Sequence, residues 1–240
     1  MIHISETLLI HSVEGFLTTS EINQLRGGID TLIDRNGPRR YDADRETTMH
    51  AIPGYTPAQA MAIYEPLGRL EITDLPDDVA VVLGNATERA MPIIRTAMPA
   101  ITSCRPWTYV EYRYGQHITP HIDGIAPDHR AWPRQIAGIS VVIDAAVDGG
   151  DFYVETTGSP ALWSRRDVNA HGYAAPMSLS HDDADDSAEW FRAIPRTRWT
   201  VNPGQGTALL YGSQLTHGTE PVRQGRARKF ISWLIAQPVD

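Results

Sequence analysis

The chain has 240 residues, enough for one domain with a substantial apolar interior, and its 42% hydrophobic and 21% charged residues are ordinary for a globular protein. A formal net charge of -8 argues against a polyphosphate partner, because nucleic-acid binding normally leaves a basic footprint. The single cysteine, Cys104, excludes an internal disulfide and a thiolate zinc cluster, so any metal must rest on nitrogen and oxygen ligands. No apolar run approaches the roughly 20 residues that span a bilayer. The opening Met-Ile-His-Ile-Ser-Glu lacks the basic start and apolar centre of a secretion signal, so the expected location is the cytoplasm, away from membranes.

In chain order, residues 12 to 35 place Ile22, Leu25, Ile29 and Leu32 at helical spacing behind a candidate cap at Thr19 or Ser20. Residues 36 to 55, rich in Arg, Asp, Gly and Pro, read as loop. Two more helices are expected at about 57 to 69 and about 76 to 98, the second opening on Asp77 and Asp78, which suit a helix N-terminus. After Pro106 the pattern changes to short β-branched and aromatic runs cut by Gly and Pro. These are Trp107 to Tyr114, Ile136 to Ile143, Gly150 to Glu155, Thr207 to Tyr211 and Lys229 to Ile235. The expected class is mainly β with flanking helices, an antiparallel sandwich or barrel with the N-terminal helices against its outside. Residues 156 to 202 show little strand pattern; a stretch that long inside one domain is usually functional or disordered. No internal repeat or linker divides the chain.

Two patterns carry chemistry. In Thr119-Pro120-His121-Ile122-Asp123-Gly124, a histidine and a carboxylate stand two residues apart at the end of an apparent strand, so both side chains point to one face. Far downstream, the apolar run from Gly206 ends in His217-Gly218. Two imidazoles and one carboxylate on one face of a metal leave coordination positions open, the arrangement of non-haem Fe(II) oxygenases. Each pattern alone is a weak signal, since a turn with a hydrogen-bonded His and Asp is common. His3, His11, His50, His117, His129, His171 and His181 have no such partner, and His117 alone shares strand parity with His121.

Taken in order, four blocks resemble the 2-oxoglutarate and Fe(II) dependent dioxygenase superfamily, in particular its prolyl 4-hydroxylase-like branch. They are Tyr112-Arg-Tyr-Gly115 running on to His121-Ile-Asp123, then Asp148-Gly-Gly-Asp-Phe-Tyr153, then Pro203 to Tyr211, and His217 to Gly225 with Trp233-Leu234 beyond. The resemblance covers about Trp107 to Leu234. It implies a double-stranded β-helix, the cupin-like jelly-roll, at 106–240 with N-terminal helical support at 1–105, making 1–240 a single oxygenase domain with an insertion at about 156–202. It implies Fe(II) held by His121, Asp123 and His217, with 2-oxoglutarate as cosubstrate and O2 as oxidant.

The far carboxylate of oxoglutarate needs a hydroxyl donor and a buried cation. Tyr112, nine residues before His121, sits where the family places such a tyrosine, with Tyr114 as fallback. The branch usually has Arg or Lys ten positions after the distal histidine, but that position here is Ala227, flanked by Arg226 and Arg228. A one-residue bulge aiming Arg228 inward is the preferred reading; Lys229, with the parity of Ala227, is a further candidate. Because halogenating relatives leave the carboxylate position small, Asp123 makes hydroxylation the expected outcome. The expected substrate is a small molecule such as an amino acid or natural-product intermediate. Its selection is assigned to 156–202, with Trp163, Arg196, Arg198 and Trp199. A protein side chain is the enzymatic alternative, and a cupin-like metal protein without oxoglutarate the non-oxygenase one.

Overall fold

The structure is a computed structural model that describes residues 4–37, 55–123, 132–157, 193 and 195–238. Its elements run α1 (Ile4–Thr7), β1 (Ile10–Val13), α2 (Thr19–Asn36), α3 (Pro57–Tyr64), β2 (Leu70–Ile72), α4 (Asp77–Ala97), β3 (Ser103–Cys104), β4 (Thr108–Tyr112) and β5 (Ile118–His121). They continue β6 (Arg134–Asp144), β7 (Asp148–Gly149), β8 (Phe152–Thr157), β9 (Arg196–Val201), β10 (Ala208–Gly212), β11 (His217–Thr219), β12 (Val222–Gln224) and β13 (Ala227–Ala236).

The long helices start where side chains satisfy free backbone donors. Thr18 caps α2, one residue before the expected cap, and forms a reciprocal box in which its hydroxyl accepts from the Glu21 amide while the Glu21 carboxylate accepts from the Thr18 amide. Thr56 and Gln59 do the same for α3, with Pro57 preset for the first turn. That helix was expected to run to about 69 but ends at Tyr64. The chain then turns through Gly68, whose positive φ suits glycine, into strand β2.

Most strands belong to two antiparallel sheets. The larger has the order β1-β10-β6-β13-β4-β2, with β3 pairing the far end of β13, and the smaller has the order β5-β11-β8-β9. A two-stranded ribbon of β7 and β12 lies apart. The N-terminal part, expected to be mainly helical, therefore also supplies both edge strands of the larger sheet. Residues Arg196–Val201, expected within an unpatterned segment, form the edge strand β9 of the smaller sheet. The middle of that segment, including Trp163, lies outside the described residues.

Strand alternation gives the larger sheet two faces. One buries Tyr109, Ile139, Val141, Leu210, Phe230 and Leu234 against Leu25 and Ile29 of α2 and Leu83, Ala86 and Ile94 of α4. The other presents Tyr112, Ser140, Tyr211, Lys229, Ile231 and Trp233 to a pocket completed by the smaller sheet. Tyr211 pairs with Gly138, where an added Cβ would fall 2.2 Å from the ring, so the glycine makes room for the tyrosine. This is a jelly-roll core with helices packed on one outer face. No helix among the described residues is long and apolar enough to cross a membrane.

Candidate metal centre

His217, at the start of β11, pairs directly with His121, at the end of β5, and the two ring centroids are 4.5 Å apart. Asp123 follows two residues later, and its backbone N–H donates to Ser213 O at 3.1 Å, tying the turn after β5 to the loop before β11. Nε2 of His121 and Nε2 of His217 each lie 3.7 Å from Asp123 Oδ1. One donor atom from each residue falls within 4.8 Å of the others. Donors bound at about 2.0 to 2.2 Å to one ion take this kind of spacing.

The outer sides of the rings explain their orientation. Nδ1 of His121 is 2.9 Å from Thr119 O, and Nδ1 of His217 is 2.8 Å from Leu215 O. A carbonyl oxygen only accepts, so each Nδ1 donates and each Nε2 keeps its lone pair for the shared point. Phe152 stacks on His217 at 5.4 Å, Tyr211 lies 4.6 Å from it, and Tyr64 meets His121 edge-on at 5.6 Å. Asp123 Oδ2 is buried and has no hydrogen-bond partner among the described residues. A buried carboxylate oxygen left unpaired is costly, and a bound cation removes that cost. The donor set and this oxygen fit a divalent transition metal. Burial, followed by the Asp123 charge, raises the Tyr211 phenol well above its ordinary range, so Tyr211 faces the centre uncharged.

Tyr112, Thr219, Arg69, Glu65 and Lys229 line the same pocket. Tyr112 is fully enclosed, whereas the fallback Tyr114 is 80% exposed and outside the pocket. Lys229 is buried; Nζ donates to Thr219 Oγ1 at 3.2 Å and lies 4.9 Å from the Tyr112 ring centre. No carboxylate among the described residues forms an ion pair with it. Burial first, and the Arg69 charge second, lower the Lys229 ammonium to about 7.

Neither flanking arginine reaches the pocket. The buried Arg228 faces the helices, donating to Asp144 and, at 2.7 Å, to Asp30 of α2. Arg226 is half exposed, 3.6 Å from Glu111. The bulge expected to aim Arg228 inward is absent from β13; the irregularity lies on the neighbouring strand, where Arg228 pairs with Asp144 and Lys229 with Val142, so Ile143 of β6 is the extra residue. The ladder of β13 with β4 runs unbroken from Ala227 opposite Tyr112 to Ile231 opposite Thr108. Alternation along β13 is thus preserved, and Lys229, Ile231 and Trp233 face inward.

Sequence reasoning missed Arg69 and Glu65, which lie in a stretch read as the tail of a helix. The turn residue Gly68 followed by Leu70-Glu-Ile was the available signal. His117 contacts Gly115 O and does not line the pocket. On β9, Arg196 and Arg198 are held in ion pairs with Glu155, and Arg198 also with Glu220.

No protein-family profile and no curated protein matches the chain. Solved structures do match over nearly its full length. The viral collagen prolyl hydroxylase of Paramecium bursaria Chlorella virus-1 is 13% identical, with a TM-score of 0.54 over 97% of this chain and 99% of that one. A Pseudomonas putida prolyl-4-hydroxylase is 11% identical, with a TM-score of 0.54 over 96% and 93% of the two chains. The 2-oxoglutarate dependent carbocyclase SnoK from nogalamycin biosynthesis is 10% identical, with a TM-score of 0.56 over 98% and 84%. At such identities the likeness is one of fold: this chain shares its fold with these prolyl hydroxylases and with SnoK.

Proposed function

We propose that the chain is an Fe(II) and 2-oxoglutarate dependent oxygenase that hydroxylates, or otherwise oxidises, an unactivated C–H bond of a small molecule, releasing succinate and CO2. The observation that carries this reading is one pocket holding both a His121, Asp123 and His217 donor set and the buried Lys229, whose ammonium forms no ion pair with a carboxylate among the described residues. His121, Asp123 and His217 would hold the iron, which when bound supplies the activation of O2 and oxoglutarate that the side chains cannot supply themselves.

The chain's own residues do the rest. Lys229 pairs with the far carboxylate of oxoglutarate, and the Thr219 and Tyr112 hydroxyls lie beside it. Phe152, Tyr211, Ile231 and Trp233 make the walls apolar and keep water from the reacting centre. A substrate of the natural-product kind is supported by the fold shared with SnoK, while the fold shared with prolyl hydroxylases supports a peptide side chain as the second reading.

The test is succinate release from oxoglutarate by the Fe(II)-loaded protein, with and without a pool of small metabolites, beside proline-rich peptides. Metabolite-stimulated succinate formation is expected. Stimulation by peptide alone would shift the substrate class. Absence of both succinate and oxoglutarate binding would leave a cupin-like metal protein.

A further inference from the structure

Tyr112 is flanked by two buried cations, and the second, Arg69, comes from the N-terminal part of the chain. Arg69 is only 5% exposed at its side chain, and its guanidinium is saturated on one side by acids: Nε lies 3.2 Å from Glu65 Oε1, and Nη2 lies 2.8 Å from Glu71 Oε2. The remaining arm, Nη1, is 2.5 Å from the Tyr112 phenol oxygen. Guanidinium has donors and no acceptor, so in this contact arginine donates and the phenol accepts. The single phenol proton is then directed elsewhere. On the other side, Lys229 has only donors too, so the Thr219 hydroxyl accepts from it and turns its own proton to the Tyr112 phenol oxygen, its second hydrogen-bond partner. The inner end of the pocket thus gathers the phenol proton and the remaining ammonium protons; Glu65 Oε1 and Glu71 Oε2 are engaged with Arg69, and the buried Glu65 Oε2 has no hydrogen-bond partner among the described residues, so the phenol proton does not go to it.

We propose that Arg69 is the positioning residue of the cosubstrate site: held by Glu65 and Glu71, it occupies the acceptor side of Tyr112 so that the phenol donates to the oxoglutarate carboxylate beside Lys229. This rests on the oxygenase reading above. It makes the N-terminal segment Glu65–Glu71 a working part of the pocket, although the motif blocks all lie downstream. Two carboxylates outweigh the one guanidinium, so Arg69 offers the ligand no net positive charge and the ligand carboxylate pairs with Lys229.

The test is a double-mutant cycle on oxoglutarate affinity, measured by calorimetry with Mn(II) in place of iron so that no turnover intervenes. Tyr112→Phe removes the donor and is expected to weaken binding about tenfold, the usual scale of one hydrogen bond to a charged group. Arg69→Gln is expected to weaken it by a similar factor in the wild-type background and by less than about twofold in the Tyr112→Phe background, because contacting residues that act through one another are non-additive. Arg69→Lys, which keeps one donor, should restore part of the loss. Should Arg69→Gln fail to fold with two acids left unpaired, the triple variant with Glu65→Gln and Glu71→Gln takes its place in the cycle. Equal losses in both backgrounds would show that Arg69 is only structural and overturn the proposal. Unchanged affinity in Lys229→Met as well as in Tyr112→Phe would instead overturn the assignment of oxoglutarate to this pocket.

Discussion

Lys229 is enclosed by Tyr112, Thr219 and Arg69, and burial with the Arg69 charge lowers its ammonium to about 7, against a smaller opposing pull from Asp151. A carboxylate binds the protonated form. Above pH 7 the free lysine is largely neutral, so oxoglutarate binding should take up a proton and weaken as pH rises, approaching about tenfold per unit. Calorimetry at pH 8 in buffers of different ionisation enthalpy measures this uptake, and a value of zero would place the carboxylate elsewhere. The same shift has a sign for folding. The folded-state value lies below the unfolded one, so between about 7 and 10.5 the unfolded chain binds the extra proton and stability rises with pH. Below 7 the penalty is fully present, and Lys229→Met should therefore raise the Tm of the ligand-free protein at pH 6 while abolishing oxoglutarate binding. At the metal centre, His121→Ala, Asp123→Ala and His217→Ala should each cost at least about a hundredfold in Fe(II) affinity, since even the outer partners of metal ligands are typically worth 10 to 100-fold. Each should reduce succinate release to background with little change in circular dichroism. A variant that still turned over would remove its residue from the site.

At the scale of elements, β13 separates two roles by alternation alone. Arg228 faces Asp30 and Asp144 and ties the larger sheet to α2, whereas Lys229 faces the pocket. Both aspartates are partly exposed and can rehydrate, so Arg228→Met should cost about 1.5 to 3 kcal/mol of stability, the range for hydrogen bonds to charged groups. Its effect on oxoglutarate affinity should stay within about twofold. Urea melts together with ligand titrations read both, and a large affinity loss would mean that β13 carries the cosubstrate through its helix-facing side. The box at the start of α2 offers a simpler check: Thr18→Ala should cost about 1 kcal/mol and leave activity unchanged, because the helix meets the sheet on the face away from the pocket.

For the molecule as a whole, the site depends on two sheets held at one separation. Gly218 lies between His217 and Thr219, and an added Cβ would fall 2.2 Å from the Tyr153 hydroxyl and 2.6 Å from Ile118 O. One of these is backbone of the paired strand β5, so Gly218→Ala should displace β11 and lose both Fe(II) and oxoglutarate binding. Retention of both would show that the smaller sheet yields without cost to the site. From sequence, the helix faces, the strands around the pocket and the spacing of His121, Asp123 and His217 were legible, because periods of 3.6 and 2 residues and short motifs are local properties. The strands β1, β2 and β9 were not, since short edge strands draw their stability from the neighbour they pair with rather than from their own pattern. The same limit applied to the cation. Whether Arg228 or Lys229 faces inward depends on which strand holds the bulge, and the extra residue is Ile143, distant in the chain. Arg69 joins Tyr112 only because α3 stops at Tyr64 and Gly68 turns the chain onto the sheet edge. The donor types at His121, Asp123 and His217 and the class of fold follow from local pattern; which charges meet follows from strand pairing, which is set by contacts between segments far apart in the chain.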